Sequence, residues 1–203
     1  MHTRNLLIGL LVILAVTLLL PRTAMAGPEV SFVLGAMIGD SLRDVLQVRP
    51  ATLTEGFENA PIFGGRLGWS AFPFAIEGSL LYSPSAIQVA DVGSFDARIV
   101  YAEAELQILI LPGPVAPFVS GGIGIHSIQP RIGSEPRENM VGYVLGGGLK
   151  IAIGSLGVRA DLRDHITPLD VSKLSDDFLQ IIGIAENTTL HNVELSGGLT
   201  IRF

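Results

Sequence analysis

The sequence predicts an all-β protein, an eight-stranded antiparallel up-and-down transmembrane β-barrel. Eight segments alternate between apolar and polar residues with the period of two that is typical of strands. Short and long connections follow one another in turn, as in barrels with tight turns at one end and extended loops at the other. The last segment ends on an aromatic residue, Phe203. A soluble two-sheet sandwich also alternates, but it gives no reason for long loops on one side only.

The first residues of the chain have the features of a secretory signal. Arg4 precedes an uninterrupted apolar run over residues 6–20, and the small-residue site Ala24-Met25-Ala26 follows. The run is shorter than the roughly 20 residues that a spanning helix needs, which favours a cleaved signal over a retained anchor. We therefore predict a signal peptide over residues 1–26 and an exported outer-membrane β-barrel domain over residues 27–203.

The predicted strands follow one another along this domain. They span residues 30–40, 61–71, 74–84, 97–110, 116–126, 140–153, 156–166 and 190–203. Short turns are predicted at 71–73, 111–115 and 154–155, and long polar loops at about 41–60, 85–96, 127–139 and 167–189. An even strand count places both ends of the domain on the side of the short turns, which is the periplasmic side of such barrels.

Charged residues within the strands share a face opposite to the apolar residues. Glu103 and Glu105, for example, oppose Leu106 and Ile108. Arg98 and Asp164 depart from this pattern, and both lie near the long-loop ends of their strands. The mid-strand charges are predicted to point into the lumen, and they are Arg66, Glu77, Glu103, Glu105, Lys150, Arg159, Asp161, Arg163, Glu194 and Arg202.

These inward charges comprise five bases and five acids, so the predicted lumen is electrically balanced. An eight-stranded barrel is just wide enough for side chains to fill it. Because an unpaired buried charge costs several kcal/mol, opposite charges confined there should pair. The sequence therefore predicts a structural ionic network that fills the lumen. The alternative is a narrow pore lined by rings of charge, which would make the protein a small porin or channel for small solutes.

Four segments carry a family resemblance: Ala116–Ile125, Val144–Lys150, Leu156–His165 and Thr189–Phe203. They resemble the bacterial outer-membrane β-barrel domain family, which is related in shape to the eight-stranded OmpA, OmpX and OmpW barrels. The resemblance implies a Gram-negative outer membrane as the location. It also implies insertion by the barrel-assembly machinery, which reads a C-terminal strand ending in an aromatic, here Phe203. Members serve as small porins, adhesins or surface-shield proteins, so the fold does not fix the activity.

The overall charge indicates which partners to expect. The chain has 13 basic and 19 acidic residues, a formal net charge of −6, which excludes a nucleic-acid binder. Acids are in excess in the predicted loops, where they favour solubility or divalent-cation bridging to lipopolysaccharide phosphates. No loop matches a defined calcium-binding spacing, so we name no metal ligands and no cofactor. We expect a monomer surrounded by outer-membrane lipid and lipopolysaccharide.

An enzymatic alternative is a lipid A deacylase-type enzyme, in which a histidine activates a hydroxyl to attack an acyl ester. The candidate pairs are His126 beside Ser127, and His165 two residues before Thr167. The His-x-Ser-Asn signature of that family is absent, because the matching stretch reads His165-Ile-Thr-Pro168. The sequence therefore favours a non-enzymatic protein with a structural or surface-interaction role and no catalytic residues.

Overall fold

The computed structural model describes residues 27–38, 56–57, 59–89, 93–130, 138–169 and 188–203. The predicted signal peptide and most of the first and last predicted loops lie outside these ranges. Among the described residues, no helix has the length and apolar character to cross a membrane. The strands are β1 (Gly27–Ile38), β2 (Gly56–Phe57), β3 (Ala60–Ala71), β4 (Phe74–Val89), β5 (Gly93–Leu109), β6 (Val115–Pro130), β7 (Glu138–Ile153), β8 (Leu156–Leu169) and β9 (Thr188–Arg202).

Eight long strands close into an antiparallel barrel, as the alternation predicts. Each long strand pairs with the next long strand along the chain, and β1 pairs with β9 to complete the ring. Closure leaves no exposed edge among the long strands, so their backbone groups are hydrogen-bonded within the sheet. The short strand β2 was not predicted; it pairs with Ile87 and Gln88 near the end of β4.

The strands run further towards the loop end than the sequence indicates. The loop predicted at 85–96 is mostly strand, because β4 and β5 stay paired as far as Val89 and Gly93. β6 and β7 also extend into the loop predicted at 127–139. Pairing between the strands provides hydrogen bonds for the backbone groups of these extensions. The extensions therefore need no alternation of apolar and polar side chains. Strands of 12 to 17 residues exceed the roughly 9–11 residues that a tilted strand needs to cross a bilayer.

The outer face of the barrel is apolar. Leu67, Leu199 and Phe32 are 67%, 69% and 68% exposed. At the turn end the outer face carries an aromatic group made of Trp69, Phe72, Phe74 and Phe203. Exposed apolar side chains on every second residue, with aromatics near one rim, are the pattern of a lipid-facing barrel surface.

The inner face is layered along the barrel axis. Buried charged residues occupy the middle of the lumen, and a smaller apolar cluster of Leu109, Ala116 and Phe118 lies at the turn end. A third layer, at the loop end, was not predicted from the sequence. There the lumen is filled by an apolar layer that consists of Val33, Met37, Ile62, Leu81, Ala97, Ile99, Tyr101, Ile128, Met140 and Leu169.

Trp69 is the single tryptophan of the chain, and it tests which face meets lipid. We expect its fluorescence to be quenched when the protein is refolded into vesicles whose acyl chains are brominated, because its side chain is 57% exposed on the outer face. A Trp69→Phe variant supplies the background signal. Strong quenching by aqueous iodide, with no effect of brominated lipid, would contradict a lipid-facing outer surface.

Candidate functional site: the polar lumen

Nine of the ten predicted lumen charges are buried: Arg66, Glu77, Glu103, Glu105, Lys150, Arg159, Asp161, Arg163 and Glu194. Arg202 is the exception. It is half-buried at the end of β9 and forms no ion pair with any described residue. Glu29 is also buried, and it is absent from the predicted set because the predicted first strand began at residue 30, three residues after the start of β1. The buried charges of the described lumen are therefore six carboxylates and four bases rather than five of each.

Glu77 is the centre of the ionic network. Arg159 Nη1 donates to Glu77 Oε2 at 2.7 Å, and Arg163 Nη2 donates to Glu77 Oε1 at 2.9 Å. Arg66 Nη1 and Lys150 Nζ also lie within ion-pair distance of Glu77, at 3.5 Å and 3.7 Å. Glu77 is on β4, and the four bases come from β3, β7 and β8. The pairs to β7 and β8 therefore cross the lumen.

Asp161 and Glu105 complete the arginine contacts. Asp161 Oδ1 accepts from Arg159 Nη2 at 2.8 Å and from Arg163 Nη2 at 3.3 Å. Arg163 also donates to Glu105 through Nη1. Among the described residues, Arg163 is the one base within ion-pair distance of Glu105. The loss of Arg163 would therefore leave Glu105 without a cationic partner.

From the order of the strands alone, Arg163 is expected to pair with a carboxylate on a neighbouring strand, such as Glu194. The register does place Arg163 beside Glu194 on β9. However, the ion pairs of Arg163 are with Glu105, Glu77 and Asp161, and the guanidinium that binds Glu194 belongs to Arg66 at 2.5 Å. Arginine side chains are long enough to cross an eight-stranded lumen, so strand neighbours do not determine partners.

A second cluster, the histidine cluster, lies on the loop side of the ionic network. Glu103 Oε1 lies 2.9 Å from His126 Nε2 and 2.7 Å from His165 Nδ1. The outer nitrogens of both rings are also engaged: His126 Nδ1 lies 2.6 Å from Thr167 Oγ1, and His165 Nε2 lies 3.0 Å from Glu194 Oε2. One donor atom from each of Glu103, His126 and His165 can be chosen so that all three lie within 4.8 Å of one another.

Packing holds the two imidazole rings in place. The Tyr101 ring centroid lies 4.8 Å from that of His126 and 4.4 Å from that of His165. Gly142 on β7 gives the His126 ring its space, because a Cβ at this position would be 2.1 Å from His126 Cε1. The histidine cluster is therefore closely packed within the lumen.

The hydroxyl–histidine pair in the structure is Thr167 with His126, which is neither of the two pairs predicted from the sequence. His165 and Thr167 share the inner face of β8, but the Thr167 hydroxyl contacts His126 on β6. With Glu103, this gives the hydroxyl–imidazole–carboxylate order of a catalytic triad. Thr167 is only 1% exposed and His126 is fully buried, so the hydroxyl has no surface on which to meet an acyl ester.

The sequence identified His126 and His165 as candidate residues and Glu103 as an inward charge, but it did not predict that the three meet. These residues lie on three strands, and their juxtaposition depends on barrel stagger. On the outer face, Asp164 is accompanied by His191, whose Nδ1 lies 2.8 Å from Asp164 Oδ2. This pair lies in the loop-side half of β8 and β9, the region where the sequence analysis placed the departure from alternation.

A closed eight-stranded antiparallel barrel with an apolar exterior and charged interior residues defines the class of small transmembrane barrels. No known protein-family model and no curated protein sequence matches the chain. Solved structures do match its fold. Neisserial surface protein A has a TM-score of 0.52 and 13% sequence identity, and the match covers 87% of this chain and 96% of that protein.

Two further solved barrels are similar at lower scores. The N-terminal β-barrel domain of Pseudomonas aeruginosa OprF matches with a TM-score of 0.44 and 14% identity over 87% of this chain and 99% of the domain. Ail, the attachment invasion locus protein of Yersinia pestis, matches with a TM-score of 0.46 and 14% identity over 86% of this chain and 99% of that chain. The match to the neisserial protein shows the fold, which is that of the eight-stranded outer-membrane barrels.

Removal of Arg163 tests whether the network is a packed structural element. We expect Arg163→Ala to lower the free energy of unfolding by about 3–5 kcal/mol, because Glu105 would stay buried without a base. The measurement is urea-induced unfolding of refolded protein, followed by Trp69 fluorescence. The matched control is Arg202→Ala, an arginine without an ion pair in the described structure, which should change the unfolding free energy by no more than about 0.5 kcal/mol. Equal changes in the unfolding free energy of the two variants would contradict a packed ionic network in the lumen.

Proposed function

We propose that the protein is an outer-membrane protein with a structural or surface-interaction role and a lumen that does not conduct. The observation that carries this proposal is the set of four bases around Glu77, drawn from three other strands, of which those on β7 and β8 reach Glu77 across the lumen. Side chains held this way occupy the cross-section that an ion or solute would need. Their pairing also neutralises charges that would otherwise require water.

The layers on either side of the ionic network support the same proposal. A solute entering from the loop end would first meet the apolar layer, in which Ile62, Leu81, Ile99 and Ile128 are each about 1% exposed. In the described part of the barrel, these buried apolar side chains occupy the lumen between the ionic network and the loop end. A channel would need a hydrated passage along its whole length.

The outer surface supports a location in the outer membrane. An apolar belt with aromatics at the turn end fits a bilayer, and the predicted signal peptide would direct export. We propose outer-membrane lipid and lipopolysaccharide as the surroundings, and the barrel-assembly machinery as the partner during insertion. A barrel that closes on itself needs no second copy to satisfy its strand edges, so we propose a monomer.

We also propose that the protein is not an enzyme. The hydroxyl–imidazole–carboxylate set of Thr167, His126 and Glu103 is buried in the lumen. Thr167 and Glu103 are 1% and 5% exposed, and the apolar layer lies on their loop side. An outer-membrane acyl hydrolase must present its nucleophile where a lipid ester can reach it.

Planar bilayer recordings test the closed lumen. We expect the refolded protein to give no stable single-channel steps, with insertion verified independently by the mobility difference between unheated and boiled samples. If the protein instead gives regular conductance steps, and Arg163→Ala alters ion selectivity with little loss of stability, the lumen is a hydrated pore. That pair of results would replace the structural role with that of a small porin.

Deletion of Phe203 tests the assembly signal. The Phe203 side chain is 76% exposed, and its backbone N donates to Pro28 O at 3.1 Å. Because it adds little packing, we expect the deletion to reduce outer-membrane yield in cells while detergent refolding stays largely intact. Phe203→Tyr keeps an aromatic end and should retain the yield. The assembly role is refuted if the deletion variant reaches the outer membrane as well as the wild type.

A further inference from the structure

We infer that Glu103, His126 and His165 form a binding site for a divalent first-row transition-metal ion of the zinc type. The inference goes beyond the proposed function and does not depend on whether the lumen conducts. Two imidazoles and one carboxylate are donors that zinc accepts in proteins, with one position left for a further ligand. The three side chains come from β5, β6 and β8, so a bound ion would link three strands inside the barrel.

The distances between the donor atoms suit such an ion. Donors around a tetrahedral zinc ion with bonds of about 2.0–2.1 Å are about 3.3 Å apart. Glu103 Oε1 now lies 2.9 Å from His126 Nε2 and 2.7 Å from His165 Nδ1. These two distances would lengthen by about half an ångström on coordination, and the three donor atoms, which all lie within 4.8 Å of one another, would close around the ion.

The second ring nitrogen of each histidine contacts an oxygen atom, as the second nitrogen of a metal-bound histidine usually does. A metal-bound histidine usually donates its second N–H to a carboxylate or another oxygen acceptor, which fixes the ring. His165 has the Glu194 carboxylate in this position at 3.0 Å, and His126 has the Thr167 hydroxyl at 2.6 Å. Both inner nitrogens would then be free to bind the ion while both rings stay anchored.

The charge of the lumen gives an independent reason for a cation at this place. Among the described residues, buried carboxylates outnumber buried lysines and arginines by two, and the two histidines of this cluster are the remaining buried basic groups. Glu103 has no lysine or arginine within ion-pair distance in the described structure; its contacts are His126, His165 and Ser79. The carboxylate without a permanent cation is thus the one that faces the two imidazoles.

The burial of the cluster predicts how the ion would behave. His126, His165 and the Glu103 side chain have no exposed surface, and the apolar layer covers them on the loop side. An ion held there should enter during folding and exchange slowly afterwards. Because it would hold β5, β6 and β8 together, it should also slow unfolding.

The test uses the mature protein, refolded in detergent with Zn²⁺, Co²⁺ or EDTA, then desalted and assayed for bound metal. We expect about one zinc ion per chain to be retained and the Co²⁺ form to show visible absorption of a four-coordinate site. Glu103→Gln and His165→Gln should lose the retained metal. Thr167→Val, which keeps the shape but removes the hydroxyl, should bind zinc about 10–100-fold more weakly. The matched control His191→Gln alters a histidine outside the lumen and should retain one ion.

Folding of each variant is verified by the mobility difference between unheated and boiled samples. If Glu103→Gln or His165→Gln does not fold, the wild-type protein decides the matter through its zinc content and Co²⁺ spectrum. Wild-type protein that retains no zinc after refolding in its presence would overturn the proposal and show that protons alone hold the cluster. Loss of metal in His191→Gln, or retention in folded Glu103→Gln and His165→Gln, would also overturn it.

Discussion

The pairing of β1 with β9 is the constraint on which the rest of the structure depends. Once backbone hydrogen bonds close the sheet, every strand residue faces either outward or into a narrow lumen. The apolar residues that face outward meet lipid, and the charged residues that face inward have each other as partners. Glu77 is surrounded by four bases because closure brings β3, β7 and β8 around the same space as β4. The ionic network is thus a consequence of closure.

The charged interior also helps to fix the strand register. Buried ion pairs often contribute little net stability compared with well-packed apolar side chains, so stability alone does not explain them. A slip of one residue, however, would turn every inward charge of a strand towards the lipid. A lysine or arginine facing the bilayer midplane costs about 2–4 kcal/mol. On β8, Arg159, Asp161 and Arg163 would all be exposed by the same slip, which makes the correct register strongly preferred.

The sequence was sufficient for the strands and their faces but not for the contacts inside the barrel. Alternation shows which residues share a face, and it assigned Arg66, Glu77 and Arg163, which are buried, to the inner face. It does not show which inward residues lie at the same height, because height depends on the stagger of the closed sheet. For this reason the partner of Glu194 was missed.

Alternation of charged and apolar residues also fails to identify the inner face of a strand where both of its faces are apolar. In β5, Ile99 and Tyr101 face inward on the same side as Glu103, so the inner face changes from charged to apolar within one strand. A pattern read for charges alone describes only the middle of the lumen. The boundary of a strand has similar importance, since a start at Gly27 rather than residue 30 brings Glu29 inside beside Lys150 and changes the charge balance.

Glu194 connects the two polar regions of the lumen. Its Oε1 accepts from Arg66, which belongs to the network around Glu77, and its Oε2 lies 3.0 Å from His165 in the histidine cluster. One carboxylate is therefore oriented by a permanent cation on one side and in turn orients an imidazole on the other. The hydrogen bond from the Arg66 guanidinium keeps the Glu194 carboxylate directed between the two regions. The geometry of the histidine cluster thus depends on the ionic network beneath it, whereas the contacts around Glu77 involve neither histidine.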